Sequence, residues 1–320
     1  MVNIMGNETN MSSNVSDVYH GVDYNRHLRI GSLGVLFVFS VVGNCAVFAW
    51  MWFNRRAKAR IHTFMVHLCT ADLLVAFLAL LSHFIVELTY DRWYIGEVGC
   101  RLFKTVQSAT LFASSNMVVA IAIDRFHSVI YPFKQRKNVY TILVPAWVIA
   151  GVLSLPQVFV WETRENSKGV IGCHTSLKKT WQKQAYLTWA SLVMFFIPFI
   201  IITICYLRII LRLWEKRNTV LPGKSERRRK AKMKTLRMTF VIISFFVLCG
   251  LPYFALDMYR FYGNARRIDP YAYAVLAIFS VSHCAVNPFI FLAFNARTQN
   301  SSNKYQENST VTTTPTRTSL

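Results

Sequence analysis

LRIGSLGVLFVFSVVGNCAVFAWMWF, from Leu28 to Phe53, is an apolar stretch long enough to cross a lipid bilayer as one helix. A hydrocarbon core of about 30 Å takes about 20 helical residues, because an α-helix rises about 1.5 Å per residue. Six further apolar segments follow it, several with one or two polar residues: 62–88, 98–130, 140–161, 185–214, 236–262 and 270–294. The sequence therefore predicts an all-α membrane protein, a seven-transmembrane helix bundle.

The basic residues indicate how this bundle is oriented. The 320-residue chain has a formal charge of +21, and the charge is concentrated in the loops 54–60, 134–137 and 215–237. Because cytoplasmic loops carry the excess of Lys and Arg, we expect the N-terminus outside and the C-terminus inside a multi-pass protein of the cell membrane. Soluble domains this basic usually bind nucleic acid, but long apolar runs argue against that partner and favour attraction to anionic membrane lipid.

Both termini are polar and lie outside the predicted bundle of residues 28–295. Residues 1–27 form a predicted extracellular tail with glycosylation sequons at Asn7, Asn10 and Asn14. A short cytoplasmic helix is expected after helix seven, and residues 296–320 form a Ser/Thr-rich cytoplasmic tail with the composition of a disordered segment. A receptor kinase could phosphorylate the cluster 309–319 and create charge for arrestin; a tail without that role is the alternative.

Two of the seven cysteines differ from the others in position. Five lie within apolar segments, where a reduced thiol acts as a small hydrophobic group. Cys100, at the outer start of helix three, and Cys173, in the loop after helix four, both face the oxidising side. We predict a disulfide between them, which would tether the second extracellular loop over helix three.

Several polar side chains lie at membrane depth. Asp72 is the clearest, and Asn44, Ser114 and Asn287 lie at comparable depth on other predicted helices. An ionisable group there is costly and indicates a function with a partner inside the bundle. Together the four residues could hold a sodium ion at Asp72; a purely structural hydrogen-bond network is an equally good interpretation. No other metal or cofactor is expected.

The apolar segments contain no convergent set of acid, base and nucleophile, so the sequence does not favour an enzyme. An ion channel or transporter is the stronger alternative, since Asp72 could line an ion path. That alternative predicts ligand-independent current in reconstituted membranes.

The motifs of the successive helices resemble those of the rhodopsin-type G-protein-coupled receptors. They run in order along residues 28 to 295: Gly43-Asn44, Leu68 with Ala71-Asp72, Cys100, Asp124-Arg125 with Pro132, Trp147, Pro198 with Tyr206, Cys249 with Pro252, and Asn287-Pro288. The resemblance implies that Arg125 enters the interface with a heterotrimeric G protein when helix six moves outward, and that Asp72 belongs to a sodium pocket. It also implies switch roles for the residues of the Asp124, Tyr206, Pro252 and Asn287-Pro288 motifs.

The outer parts of the helices resemble one group within this family. Gln107 occupies the position at which receptors for amines carry an aspartate, which disfavours an amine ligand. Instead CRLFKTVQ, SLPQVFVWE and neighbouring stretches resemble the vasopressin and oxytocin, gonadotropin-releasing-hormone and neuropeptide S receptors. The resemblance implies an extracellular peptide ligand held by Lys104, Gln107 and Gln157, with Glu87 meeting a basic or polar group. Lys104 and Gln107 share a helix face, being three residues apart.

Helix six supplies the remaining predicted ligand contacts, Tyr253 and Phe254, just outside Pro252. The proline kinks a membrane helix and is a hinge candidate. Gly250 departs from the family, which usually has tryptophan there, and Phe291 replaces the tyrosine that usually follows Asn287-Pro288. Either neighbours such as Phe246 fill the space at Gly250, or helix six is looser and basal activity is altered. The second case favours a peptide-binding receptor-like protein with weak or atypical G-protein signalling.

Overall fold

The computed structural model describes residues 26–54, 60–132, 138–165, 169–217, 226–263 and 270–296, without the side chains of 216, 217, 226–232, 270 and 271. The sequons at Asn7, Asn10 and Asn14, most of the basic third inner loop and the Ser/Thr cluster 309–319 lie outside the described residues. So does the short cytoplasmic helix expected after helix seven.

Seven helical spans make up most of the described chain. They are α1 (Arg26–Phe53), α2 (Arg60–Leu88), α3 (Gly96–Ile130), α4 (Tyr140–Ser154 with Gln157–Val160), α5 (Thr180–Ser191, Leu192–Phe196 and Ile197–Arg217), α6 (Glu226–Tyr262) and α7 (Pro270–Val281 with His283–Ala296). Six of these are continuous spans long and apolar enough to cross a membrane. The seventh, α7, is a pair of helices bent by 43° that are long and apolar enough to cross it when taken together. The predicted bundle of seven helices is confirmed.

Two of the helices start five or more residues before the predicted positions. Helix α5 begins at Thr180, five residues before 185, and α6 begins at Glu226, ten residues before 236. Hydropathy detects only the part of a helix that lies in lipid, whereas Glu, Arg, Lys and Ala are strong helix formers in water as well. The segment ERRRKAKMK can therefore continue α6 on the cytoplasmic side.

Wide turns and prolines interrupt the regular α-helices. One turn of π-helix occurs in α2 at Ala76–Leu80 and another in α5 at Leu192–Phe196. Pro252 lies inside α6, where it leaves the preceding turn without one backbone hydrogen bond. Each extra residue in a wide turn rotates the following side chains by about 100° around the helix axis. These interruptions decide which residues face the bundle interior.

A two-stranded antiparallel hairpin covers the outer end of α3. It consists of β1 (Trp161–Glu165) and β2 (Ile171–Thr175), with Thr163 opposite Cys173. Cys173 is bonded to Cys100, with the two Cα atoms 5.8 Å apart, so the predicted disulfide is confirmed. The amide of Trp93 donates to the carbonyl of Ile171 over 2.8 Å, which joins the first outer loop to the same hairpin.

The main apolar core lies between α2, α3, α5 and α6, with α4 and the inner half of α7 packed against it. Helices α1 and α7 approach closely at Gly43. A Cβ atom on Gly43 would lie 2.7 Å from Cγ of Pro288, which is closer than real contacts allow. Glycine is therefore required at this crossing, and it brings Asn44 beside the polar residues of α7.

Candidate functional site

The outer half of the bundle brings three predicted ligand residues together around Trp161, the first residue of β1. The Lys104 ammonium lies 4.6 Å from the centre of the Trp161 ring and donates to Oε1 of Gln107 over 3.3 Å. Trp161 in turn donates to Oε1 of Gln157 over 2.9 Å. The ring thus joins α3 to α4 beneath the disulfide-tethered hairpin. Sequence reasoning missed Trp161, although it lies only four residues after Gln157.

The two glutamines are held by partners within the protein. Gln107 is 6% exposed and donates to the carbonyl of Leu78 and to the Ser82 hydroxyl, both at 3.0 Å. Leu78 lies in the wide turn of α2. Gln157 is 2% exposed and also accepts a hydrogen bond of 2.6 Å from the Tyr186 hydroxyl. A ligand that bonds to these amides must therefore exchange one hydrogen bond for another.

Glu87 lies at the outer end of α2 and contacts α1. Its carboxylate accepts from Arg29 at 3.1 Å, and its backbone carbonyl accepts from Arg26 at 2.6 and 2.9 Å. The side chains of Glu87 and Arg29 are 26% and 21% exposed. A basic group of a ligand would compete with Arg29 for this carboxylate.

The opposite wall is formed by α6 and α7. The hydroxyl groups of Tyr253 and Tyr273 are 3.3 Å apart, and Tyr273 donates to Oδ1 of Asp257 over 2.8 Å. Asp257 is only 3% exposed. Sequence reasoning missed this carboxylate, although the argument used for Asp72, an ionisable residue inside an apolar helix, applies to it equally. It ties α6 to α7 one turn outside Tyr253.

At mid-membrane, the structure brings three of the four predicted sodium-pocket residues into direct contact. Asp72 is fully buried and accepts from the Ser114 hydroxyl at 2.6 Å and from the Asn287 amide at 3.0 Å. Asn44 lies nearby and donates to the carbonyls of Ser40 and Cys284 at 2.9 and 3.4 Å. The side-chain oxygens of Asn44 and Asn287 are buried, and within the described chain neither accepts a hydrogen bond.

At the cytoplasmic end, Asp124 bridges two arginines. Arg125 donates to Oδ2 of Asp124, and Arg60 at the start of α2 donates to Oδ1 over 2.6 Å. The side chains of Asp124 and Arg125 are 4% and 9% exposed, whereas that of Arg60 is 20% exposed. Arg60 was not predicted, because it stood among the basic residues of an inner loop. The pair of the sequence motif is thus a three-residue ionic cluster between α2 and α3.

Two further contacts hold α5, α6 and α7 together near this cluster. The Tyr206 hydroxyl donates to Thr239 over 2.7 Å, and Lys234 donates to the amide oxygen of Asn295 over 3.3 Å. The ring of Phe291 is fully buried and lies edge-on to Trp50, with ring centres 5.3 Å apart. Phe291 therefore packs toward α1, in a position where it offers no hydroxyl group.

Comparisons with known proteins agree with this architecture. The profile of the family described as 7 transmembrane receptor (rhodopsin family) matches residues 43–291. The vasopressin V1b receptor of Mus musculus is 28% identical over 306 residues, covering 84% of this chain and 72% of that receptor. The mesotocin receptor of Rhinella marina is 26% identical, with 91% and 79% covered, and the oxytocin receptor of Ovis aries is 25% identical, with 83% and 75% covered.

A bundle of seven apolar helices with a buried Asp72 cluster and an Asp124-Arg125 pair at its inner end defines a class of membrane receptor. The chain belongs to the rhodopsin family of seven-transmembrane receptors. It is a multi-pass protein of the cell membrane, and it resembles the vasopressin and oxytocin receptors.

Proposed function

We propose that the chain is a receptor for an extracellular neuropeptide or peptide hormone and transmits binding to a heterotrimeric G protein. The observation that carries this proposal is the cluster of Lys104, Gln107 and Gln157 around Trp161. It places one ammonium group and two side-chain amides beside the Trp161 ring. Such groups form hydrogen bonds with the carbonyls and amides of a peptide. The names of the similar receptors, which refer to vasopressin, mesotocin and oxytocin, support a peptide ligand.

The proposed mechanism is a shift between two arrangements of α6. The Tyr206–Thr239 and Lys234–Asn295 contacts hold the inner ends of the helices together. A peptide that binds the open arrangement more tightly than this one shifts the population toward it, and α6 turns outward at Pro252. The opening exposes Arg125 to the G protein. Arrestin and a receptor kinase would act later on the C-terminal tail, and anionic lipid would contact the basic inner loops.

The peptide proposal is tested on cells that express the receptor. Vasopressin, oxytocin, mesotocin and a random peptide library are applied, and calcium and cyclic AMP are recorded. For a peptide that evokes a response, Gln107→Ala is expected to weaken its binding to the receptor about tenfold or more. One hydrogen bond to the peptide is lost, and the groups that bonded to Gln107 are left unsatisfied.

The matched control is Asn116→Ala, which removes one interhelical hydrogen bond, to the Ala146 carbonyl at 3.0 Å, on the same helix but away from the cluster. Affinity should be unchanged in this control at equal surface expression. Unchanged peptide affinity in Gln107→Ala would show that Gln107 does not contact the ligand. The absence of a calcium or cyclic AMP response to every peptide would contradict the peptide proposal.

We also propose that Asp72 holds a sodium ion. The described residues fit such an ion, since a buried carboxylate and the unpaired oxygens of Asn44 and Asn287 are the hard oxygen ligands that it prefers. They contain no cluster of three or more His, Cys, Asp or Glu side chains of the kind that binds transition metals. The ion would stabilise the arrangement of the bundle to which it binds.

We therefore expect the purified receptor to melt at a higher temperature in sodium chloride than in choline chloride of the same ionic strength. Asp72→Asn, which keeps the volume but removes the charge, should abolish the difference, whereas Asn116→Ala should preserve it. Equal melting temperatures of the unaltered receptor in both salts would contradict the sodium site and leave the purely structural network.

Departures from the family pattern favour a second candidate, a peptide-binding receptor with weak G-protein signalling. Phe291 packs against Trp50 and offers no hydroxyl near Arg125. The two candidates differ in one result, because the second predicts saturable peptide binding without a calcium or cyclic AMP response.

A further inference from the structure

The ring of Phe195 lies directly against the backbone of α6 at Gly250. A Cβ atom on Gly250 would stand 2.5 Å from Cε2 and 2.6 Å from Cδ2 of Phe195, distances that real Cβ atoms do not adopt. Any side chain at position 250 must therefore displace the ring. Phe246, the expected neighbour, is not the group that fills this space; it lies beside Phe195, with ring centres 5.6 Å apart.

Two features of α5 fix Phe195 in this position. The ring belongs to the wide turn Leu192–Phe196, which rotates it away from the face that a regular helix would give it. The Ser115 hydroxyl of α3 donates to the carbonyl of Met194 in the same turn over 2.6 Å. Phe195 is fully buried as a result.

Phe195 also connects the outer and inner aromatic residues of α6. Its ring is stacked on Phe254, with centres 5.0 Å apart and planes at 16°, on the outer side. On the other side it meets Phe246, whose ring lies edge-on to His283 of α7 at 5.4 Å. The contacts run from a predicted ligand residue to the helix that carries Asn287.

A small cavity adjoins this ring. It measures about 20 Å³ and is lined by Phe195, Gly250 and neighbouring groups of α3 and α7, among them Ser114, His283 and Cys284. Because packed interiors have few such voids, a ring beside one can occupy two discrete positions more readily than a ring that is enclosed on all sides.

We propose that Phe195 is the residue that positions α6 and transmits ligand binding from Phe254 to Phe246. Gly250 is the surface over which its ring moves when α6 turns at Pro252. The ligand end of this path rests on the proposed function, whereas the Phe195–Gly250 coupling does not depend on it. The coupling can therefore be measured without a peptide.

The test is a double-mutant cycle of Gly250→Ala and Phe195→Ala in purified receptor. The background carries Cys45→Ser, since Cys45 is the exposed free thiol of the described chain, and Arg237→Cys with a fluorine label on the inner part of α6. Fluorine NMR then gives the fraction of receptor with α6 open, and thermal unfolding gives the stability. Neither measurement requires a ligand.

Gly250→Ala is expected to lower the melting temperature and to raise the open fraction at least about threefold, because in the proposed movement the Phe195 ring leaves position 250 when α6 opens. Adding Phe195→Ala should return the open fraction close to that of the unaltered receptor. The matched control is Gly151→Ala in α4, where a Cβ atom meets nothing within 4 Å, and it should change neither quantity.

Three results would overturn the proposal. In the first, Gly250→Ala changes neither the melting temperature nor the open fraction. In the second, the effects of Gly250→Ala and Phe195→Ala on the open fraction simply add in the double variant, and in the third, Gly250→Ala lowers the melting temperature but leaves the open fraction unchanged. The last would reduce Phe195 to ordinary packing. If the double-mutant cycle shows coupling between Phe195 and Gly250 but no peptide evokes a calcium or cyclic AMP response, the coupling stands and only the peptide proposal is contradicted.

Discussion

Cys173→Ser is expected to lower the free energy of unfolding by about 2–5 kcal/mol and to remove most receptor from the cell surface. The bond to Cys100 is the covalent tether of the β1–β2 hairpin to α3. Trp161 at the start of this hairpin holds both Lys104 and Gln157. Loss of the tether should therefore affect the predicted ligand cluster as well as the fold. Surface immunostaining and thermal unfolding measure the two effects.

The matched control for this change is Cys45→Ser, which alters an exposed thiol of α1 that forms no disulfide. It should leave expression and melting temperature unchanged. Cys100→Ser, which keeps Cys173, should lower surface expression and melting temperature as much as Cys173→Ser does, because the bond requires both residues. A Cys173→Ser receptor with the original melting temperature would show that the hairpin is held by its other contacts, such as the Trp93–Ile171 hydrogen bond.

Asp124→Ala should have an effect of similar size, with about 3–5 kcal/mol lost from the free energy of unfolding. The change leaves the buried Arg125 without its carboxylate and removes the partner of Arg60 at the same time. Because Arg125 then loses its ion pair with Asp124, we also expect higher basal nucleotide exchange on a panel of purified G proteins. Arg125→Ala should abolish exchange altogether.

Arg60→Ala distinguishes the two halves of this cluster. Arg60 is partly exposed and Arg125 still neutralises Asp124, so the loss of stability should be smaller than for Asp124→Ala. Arg212→Ala is the control, because its ion pair with Glu215 is a surface pair worth about 0–1 kcal/mol. If Asp124→Ala were no more harmful than Arg212→Ala, the ionic cluster would have no part in holding α2 against α3.

The structure brings predicted residues into contact where the sequence carried a local signal. Asp72 was identified because an ionisable residue stands out in an apolar helix, and Ser114 and Asn287 do contact it. Arg60 and Trp161 were missed because arginines are common in inner loops and aromatic residues are common throughout such helices. Their importance comes from partners on other helices. Asp257 is different, since its signal was present and was not used.

The sequence by itself determined the seven helices, their orientation and the pairing of Cys100 with Cys173, because segment length, hydropathy and loop charge are properties of the local chain. The tertiary structure alone decided that Phe195 fills the space at Gly250 and that Arg60 shares Asp124. Each of those contacts depends on the rotation of one helix against another, and a wide turn changes that rotation by about 100° without changing hydropathy.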